Sequence, residues 1–187
     1  MNKTKSILLS VVLLLGGALS ASAQRFSIGS NIVDVLTFGT LEVEGSASVA
    51  KNVSVHVGGE FNPWTWRSGD QERQMQVRQA SYWAGVRYWP WHVYSGWWAG
   101  IDGRYTAYNA GGVLKRQTEE GDAYGVGLYG GYAVMLNDKW TLDLGAGVWG
   151  GYKTYTVYAC PLCGGIQETG EKTFLLPDVR VAIQYIF

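Results

Sequence analysis

Apolar and polar residues alternate along most of this chain, and the last eleven residues show the pattern most clearly. Between Pro177 and Phe187, one face is apolar and the other carries Asp178, Arg180 and Gln184. The apolar face consists of Val179, Val181, Ile183, Tyr185 and Phe187. A period of two residues is that of a β-strand, whose successive side chains point to opposite faces. The pattern therefore predicts a final strand with one continuous apolar face.

The same alternation predicts seven earlier strands and therefore an all-β protein. They fall near residues 25–36, 41–49, 53–62, 74–89, 97–106, 126–136 and 140–148. Short turns and longer loops separate these strands in alternation. We expect the turns at 50–52, 90–95 and 137–139, and the long loops at 63–73, 109–122 and 159–173. An even number of strands joined in this way is typical of an up-and-down barrel.

The first 23 residues have the three parts of a secretory signal peptide. Lys3 and Lys5 precede an apolar run from Ile7 to Leu19, and Ala21-Ser22-Ala23 has the form of a cleavage site. The apolar run is too short to cross a bilayer of about 30 Å as a helix. We therefore expect cleavage after Ala23 and a mature domain of residues 24–187.

Composition narrows the class of protein further. The chain has 15 acidic and 15 basic residues and a net charge of zero, which removes the electrostatic footprint of a nucleic-acid binder. It is rich in Gly and aromatic residues, with 26 Gly, 9 Trp and 12 Tyr. Aromatic residues collect at membrane interfaces, and only a closed sheet leaves no unpaired strand edge in lipid. We expect an eight-stranded antiparallel up-and-down transmembrane β-barrel, surrounded by outer-membrane lipid.

A soluble eight-stranded barrel or sandwich would show the same periodicity with its apolar face turned inwards. The period alone does not distinguish the two folds. Three features favour the membrane barrel: the signal peptide, the terminal aromatic pair Tyr185 and Phe187, and a polar face that is poor in Lys.

Single charged residues recur on the polar face of the predicted strands. They are Glu42, Glu44, His56, Glu60, Arg87, Asp102, Arg104, Asp143 and Arg180, together with Arg78, Lys153 and Asp178. An eight-stranded barrel is just wide enough for side chains to fill, and charges buried there must be paired. We interpret these residues as a structural salt-bridge network in the lumen. The alternative is a gated polar path or a small-ligand site, and the narrow lumen argues against a conducting pore.

Cys160 and Cys163 are the only cysteines, and they are spaced Cys-x-x-Cys in a predicted outer loop. Outside the cytosol a disulfide is the more common state of such a pair. Metal binding or redox work is the alternative, but two thiols are only half of a tetrahedral zinc site. We predict a disulfide, no metal and no cofactor.

Tryptophans occur near both predicted ends of the barrel. Trp64 and Trp66 lie in a predicted surface loop, and the opposite end carries Trp89, Trp91, Trp97 and Trp98. The residues predict two aromatic belts that anchor the protein at the membrane interfaces. Stacking of Trp64 and Trp66 on a sugar ring is the alternative.

The final strand resembles the closing strand of bacterial outer-membrane barrels. The barrel-assembly machinery recognises a terminal Phe with an aromatic residue two positions earlier, which here implies Phe187 and Tyr185. The resemblance makes that machinery an expected partner.

Several segments resemble a family of Bacteroidetes outer-membrane proteins, the domain of unknown function 3575, which are OmpA-like small barrels. The matching segments are Phe61-Asn62-Pro63-Trp64-Thr65-Trp66, Val86-Arg87-Tyr88-Trp89, Tyr129-Gly130-Gly131-Tyr132, Lys139-Trp140-Thr141-Leu142 and Cys160-Pro161-Leu162-Cys163-Gly164. The resemblance implies an eight-stranded barrel without a known reaction. Some members are encoded beside fimbrial genes, which implies an envelope or fimbrial protein partner.

We therefore expect a non-enzymatic outer-membrane barrel that serves as a structural or surface-interaction scaffold. The alternative is a small outer-membrane enzyme acting on lipid A or glycan. Small barrels of that kind use a His, a Ser and an acid near the outer rim, and the sequence shows no matching motif.

Overall fold

The computed structural model describes residues 26–69, 74–113, 116–162 and 164–187. The predicted signal peptide, residues 1–23, lies outside the described residues. Within those ranges no helix is long and apolar enough to cross a membrane. Most of the described chain is β-strand, so the predicted all-β class is confirmed.

Eight long strands, one two-residue strand and one short helix make up the described fold. They are β1 (Phe26–Asn31), α1 (Ile32–Leu36), β2 (Leu41–Ala50), β3 (Val53–Asn62), β4 (Thr65–Trp66), β5 (Met75–Tyr88), β6 (Gly96–Gly111), β7 (Thr118–Met135), β8 (Trp140–Tyr158) and β9 (Ile166–Ile186). Each long strand pairs antiparallel with its neighbours, which confirms the up-and-down order. Because β1 pairs with β9 and β3 pairs with β5, the sheet closes on itself. We call this closed sheet the ring.

The two ends of the ring differ. At one end, the short-turn end, brief connections join β2 to β3, β5 to β6 and β7 to β8. At the other end the strands stop at different heights, because β2 and β3 have 10 residues each whereas β7, β8 and β9 have 18, 19 and 21. The long strands continue as a one-sided extension beyond β1, β2 and β3. We call this extension the wall; it comprises residues 106–111, 118–123, 153–158 and 166–172.

The wall corrects two sequence predictions. Residues 109–122 and 159–173 were expected to be loops, but Thr118–Asp122 belong to β7 and Ile166–Thr173 belong to β9. These segments are polar on both faces, so they lack the apolar period that identifies a half-buried strand. Ladder hydrogen bonds to the neighbouring strands hold them extended.

The predicted first strand, 25–36, is also too long, because β1 ends at Asn31 and helix α1 follows. The Asn31 side chain causes this change. Its carbonyl oxygen accepts from Val33 N at 3.3 Å, which caps α1. The same side chain accepts from Val181 N at 2.9 Å and donates to Val179 O at 3.3 Å. The Asn31 side-chain amide therefore takes the hydrogen-bonding positions on β9 that the backbone of a longer β1 would fill.

The polarity of the ring is inverted relative to a water-soluble domain. Among the described residues, the buried polar and charged side chains outnumber the buried apolar ones. Large apolar side chains lie exposed on the outward face of every long strand; examples are Ile28, Val43, Val57, Val86, Ile101, Val126, Leu128, Val148, Val179 and Ile183. The polar face that the alternation predicts therefore points inwards.

A small apolar core closes the short-turn end from inside. Trp89, Tyr94 and Trp98 pack together with Ala133 and Ile186. The Trp89 ring centroid lies 5.9 Å from that of Tyr94 and 6.2 Å from that of Trp98. We call these five residues the aromatic plug. The prediction that Trp89 and Trp98 belong to an outer belt is wrong, because both are buried within the ring.

Candidate functional site

The centre of the ring holds a buried cluster of paired charges, organised by Glu44 on β2. Glu44 is 3% exposed, and its carboxylate lies 2.9 Å from both the Arg87 and the Arg180 guanidinium groups. The Trp83 indole N–H donates to the same carboxylate at 3.1 Å. Side chains of β5 and β9 therefore converge on one anion of β2. A buried charge requires such partners.

Asp143 on β8 anchors the other side of the cluster. It is fully buried and accepts from Arg180 Nε at 2.9 Å and from the Trp98 indole N–H at 2.6 Å. Gln184 Nε2 donates a further hydrogen bond at 3.0 Å. Arg180 thus bridges Glu44 and Asp143, and Trp98 joins the charges to the aromatic plug.

Arg104 forms a second centre nearer the wall. Its guanidinium lies 2.9 Å from the Asp178 carboxylate and within 5.1 to 5.7 Å of three ring centroids. Those rings belong to Trp83, Tyr129 and Trp149. Cation–π contacts of this kind compensate a cation for part of its lost hydration.

The remaining predicted residues face a small cavity of about 50 Å³ beside these centres. His56 Nε2 lies 3.9 Å from the Asp102 carboxylate, and both side chains are almost fully buried. Glu42 accepts from the backbone N–H of Asn31, and Glu60 accepts from Ser81 Oγ at 2.6 Å. The volume suits a few water molecules rather than an organic substrate.

The structure thus brings together the nine predicted lumen residues, Glu42, Glu44, His56, Glu60, Arg87, Asp102, Arg104, Asp143 and Arg180. Asp178 joins them through Arg104. Arg78 does not, because its neighbour Gln79 faces inwards and Arg78 is exposed. His56 sits deep in the ring, away from the rim position that the lipid A or glycan enzyme would need. The charged side chains thus fill the centre of the ring except for this small cavity.

Lys153 lies higher, in a separate inward-facing cluster on the wall that the sequence did not reveal. Its ammonium contacts the Glu119 carboxylate, which also accepts from Tyr108 OH at 2.7 Å. Tyr155 OH donates to Glu168 at 2.6 Å, and the Lys172 ammonium lies 4.6 Å from the Tyr155 ring centroid. Only strand pairing brings these six side chains together. Three of them, Glu119, Glu168 and Lys172, lie in segments that were expected to be loops.

Hydrogen bonding sets the protonation of Glu119. Partial burial would raise its pKa, but the hydrogen bonds from Lys153 and Tyr108, with the nearby charge of Lys172, hold the pKa below its ordinary value. Glu119 is therefore a carboxylate at neutral pH. Tyr108 shows the reverse effect, since burial and the Glu119 hydrogen bond raise its pKa, and its hydroxyl remains a donor.

The wall also carries a groove of about 900 Å³ that crosses the strands from Asn62 to Glu171. Its lining is mixed, and its polar residues include Asn109, Glu120 and Asp122. Asn109 Nδ2 donates to Glu120 at 2.8 Å, and Tyr158 OH donates to the same carboxylate at 2.6 Å. These groups are already paired within the protein.

Trp64 and Trp66 pack against the turn between α1 and β2. The Trp64 indole N–H donates to Gly39 O at 2.8 Å, and the Trp66 ring centroid lies 5.7 Å from that of Phe38. Asn62 ties the same segment down by donating to Phe38 O at 3.2 Å and accepting from Trp64 N at 3.1 Å. The Asn-Pro-Trp motif thus fastens β3 to the first turn, with Trp64 still partly exposed.

The aromatic pair at the end of β9 lies at the short-turn end. The Tyr185 ring centroid is 5.0 Å from those of both Phe187 and Trp140. Phe187 N donates to Phe26 O at 2.9 Å, which pairs the end of the chain with β1. Recognition of Tyr185 and Phe187 by an assembly machinery stays a prediction.

Cys160 is buried and disulfide-bonded. Cys163 lies outside the described residues, so its pairing with Cys160 stays a prediction. Within the described part of the chain, no group of three or more His, Cys, Asp or Glu side chains is placed to hold a metal ion.

The chain matches a protein-family model over almost its whole length. No curated protein is similar enough to match it. A family model described as a protein of unknown function, DUF3575, matches residues 9–187. This match includes all the strands of the ring, the buried charge cluster and the wall. The chain therefore belongs to the DUF3575 family of proteins of unknown function.

Proposed function

We propose that the ring is a transmembrane β-barrel of the bacterial outer membrane. Its role in this proposal is non-enzymatic, as a scaffold that presents the wall to an envelope or fimbrial protein. The observation that carries the proposal is the inverted polarity, with buried charges inside and exposed large apolar side chains outside. In water such a surface is an aggregation hazard, whereas in lipid it is the favourable arrangement.

Outward aromatic side chains support this orientation, because they form two girdles. Tyr82, Tyr105, Tyr124 and Tyr152 are successive cross-strand partners just below the wall. Near the short-turn end lie Tyr88, Trp97, Tyr132, Trp140 and Tyr185. On β6 eight residues separate the girdles, which is roughly 26 Å along the strand. At a strand tilt of about 40° this is about 20 Å, close to the apolar band of outer-membrane barrels.

The interior supports a scaffold rather than a channel. The aromatic plug fills the short-turn end, and the charge cluster fills the centre except for about 50 Å³. We expect no stable conductance when the protein is inserted in a planar bilayer. Stepwise currents of constant size would contradict a closed scaffold while leaving the membrane location intact.

Replacing one lipid-facing residue by Arg distinguishes a membrane barrel from a water-soluble ring. Leu128 is 57% exposed and lies between the girdles on β7. In water an exposed Leu128→Arg substitution should change the unfolding free energy by about 0.5 kcal/mol or less. In a bilayer it should cost about 2–4 kcal/mol. Urea unfolding of the protein in lipid vesicles measures the difference.

Thr154→Arg on the wall is the matched control. Thr154 is exposed on the outward face of the same sheet, above the tyrosine girdle, so it should tolerate Arg in vesicles. Equal stability of the two variants in vesicles would overturn the membrane proposal. Cell fractionation, and faster gel migration of unheated than heated protein, test the location and the closed fold independently.

A further inference from the structure

One edge of β9 has no strand beside it along the wall. β1 pairs with β9 only from Ile186 to Ala182, and β8 pairs with β9 up to Ile166. Within the described ranges no backbone hydrogen bond reaches the β1-facing side of residues 167–175. The segment is therefore extended and paired on one side only.

The direction of the free groups follows from the ladder. Two odd-numbered residues, one in β9 and one directly after it, donate towards the β1 side. Phe187 N donates to Phe26 O, and Val181 N donates to the Asn31 side chain. In an antiparallel sheet, alternate residues direct both backbone groups to the same neighbour. The odd-numbered residues Thr169, Glu171, Thr173 and Leu175 therefore direct their N–H and C=O groups to the empty side, whereas Gln167 lies at a register shift opposite Val157 and Tyr158.

Below this free stretch, the Asn31 side chain already bonds to the same edge of β9. Its side-chain amide occupies the hydrogen-bonding positions at Val179 and Val181 that a longer β1 would use. Pro177 comes next on the same side and has no N–H to leave unpaired. The free edge thus begins above Pro177, and it stands above the ends of β2 and β3.

Among the described residues, no strand pairs with this edge. Cleavage after Ala23, as the sequence predicts, would leave two residues before β1, and the other undescribed stretches, 70–73, 114–115 and 163, have at most four residues each, too few to cover the whole edge. In a second copy inserted in the same membrane, β9 would run parallel to β9 of the first copy. A symmetric pair of such edges would place each N–H opposite another N–H and each C=O opposite another C=O. The geometry leaves an antiparallel segment of another polypeptide.

Charge on the edge specifies that segment further. Glu168 and Lys172 both face inwards, lie four residues apart and are exposed. Opposite charges directly across an antiparallel pair stabilise it, and like charges destabilise it. A suitable partner carries a basic residue opposite Glu168 and an acidic residue opposite Lys172. Charged edges of this kind also discourage unspecific aggregation.

We propose that residues 167–175 of β9 dock an extended polypeptide segment by β-augmentation. The segment runs antiparallel to β9 and adds one strand to the wall, with main-chain hydrogen bonds for affinity and the two charges for register. The inference rests on the proposed scaffold role, for which it names the kind of partner. Its test needs the folded ring but not a bilayer.

A peptide with the sequence of residues 164–176 is a suitable probe. Paired antiparallel about Gly170, it places its own Lys172 opposite Glu168 of the protein and its Glu168 opposite Lys172. Fluorescence anisotropy of the labelled peptide with full-length protein in detergent micelles should show saturable binding. Hydrogen exchange at Thr169 and Glu171 should be rapid in free protein and slow in the complex.

Proline substitution tests the backbone contact. Thr169→Pro removes an N–H from the free edge and leaves the β8 ladder intact, because the N–H of Thr169 points away from β8. It should reduce peptide affinity at least tenfold, the effect of losing about one well-formed hydrogen bond. Thr169→Ser should bind like the wild type, and Glu171→Pro is the second variant if Thr169→Pro fails to fold.

A charge exchange tests the register. A peptide carrying Glu168→Lys and Lys172→Glu should bind wild-type protein about fivefold more weakly. The protein with the same two substitutions should restore its binding. Absence of peptide binding up to millimolar concentration, or binding that ignores Thr169→Pro, would overturn the docking edge. Neither result would alter the outcome for Leu128→Arg, so the two proposals fail separately.

Discussion

The centre of the ring and the wall are built from the same strands, yet they treat charge in opposite ways. In the centre, Glu44 and Asp143 are almost completely buried, and each contacts more than one guanidinium. On the wall, Lys172 is exposed, and within the described residues no carboxylate lies within 4.0 Å of its ammonium. Burial makes pairing obligatory in the centre, whereas solvent makes it optional on the wall.

The two regions also differ in how they pair along a single strand, β9. The lower part of β9 contributes Arg180 to the charge cluster and pairs on both sides. Its upper part pairs only with β8 and keeps one edge open. The charges of the centre are therefore paired, whereas one row of backbone groups on the wall has no strand partner among the described residues.

Removing a central carboxylate should have the largest effect. Glu44→Ala removes the nearer carboxylate of Arg87 and leaves the buried Arg87 and Arg180 with only Asp143 as a shared partner, and we expect a loss of about 3–5 kcal/mol in unfolding free energy. Glu168→Ala on the wall should cost about 1 kcal/mol or less. Urea titration followed by Trp fluorescence, with both variants refolded in the same micelles, provides the comparison. Similar losses would mean that the wall is as essential as the centre.

Adding one methyl group should show the same contrast at a smaller scale. A Cβ at Gly131 would lie 2.2 Å from Leu144 O and 2.7 Å from the Trp98 ring, and the backbone oxygen cannot move away. We expect Gly131→Ala to cost about 1–3 kcal/mol. A Cβ at Gly170 would meet only the Tyr155 side chain, at 3.0 Å, which can shift. Gly170→Ala should therefore be nearly neutral in the same unfolding assay.

The smallest expected effect is a pH dependence on the wall. The pKa of Glu119 is lowered in the folded protein, so its stabilising contribution is present above its unfolded pKa of about 4.3. The contribution disappears as the pH falls through the lower, folded pKa. Wild type and Glu119→Gln should differ by at most about 1 kcal/mol at pH 7 and converge in acid. A difference that grows on acidification would contradict the Lys153 interaction.

The alternation of residues determined which side chains share a face. It predicted the strands of the ring, their antiparallel order and the nine charged residues that meet in the centre. The reason is that successive side chains of a strand point to opposite faces, whatever residues they pack against. It also predicted the short turns near 50–52 and 137–139. The match to the DUF3575 family is consistent with the resemblance carried by the Asn62-Pro63-Trp64 and Val86-Arg87-Tyr88-Trp89 segments.

Tertiary structure decided where the ring closes and how far each strand continues. The sequence did not show that Asn31 ends β1 with its side chain, because that ending depends on Val179 and Val181, 148 and 150 residues away. Nor did it show the wall, since strands polar on both faces leave no apolar period and are held by hydrogen bonds to neighbours. Burial of Trp89 and Trp98 likewise depended on the ring, because one tryptophan suits a membrane girdle or a core equally well until the strands close around it.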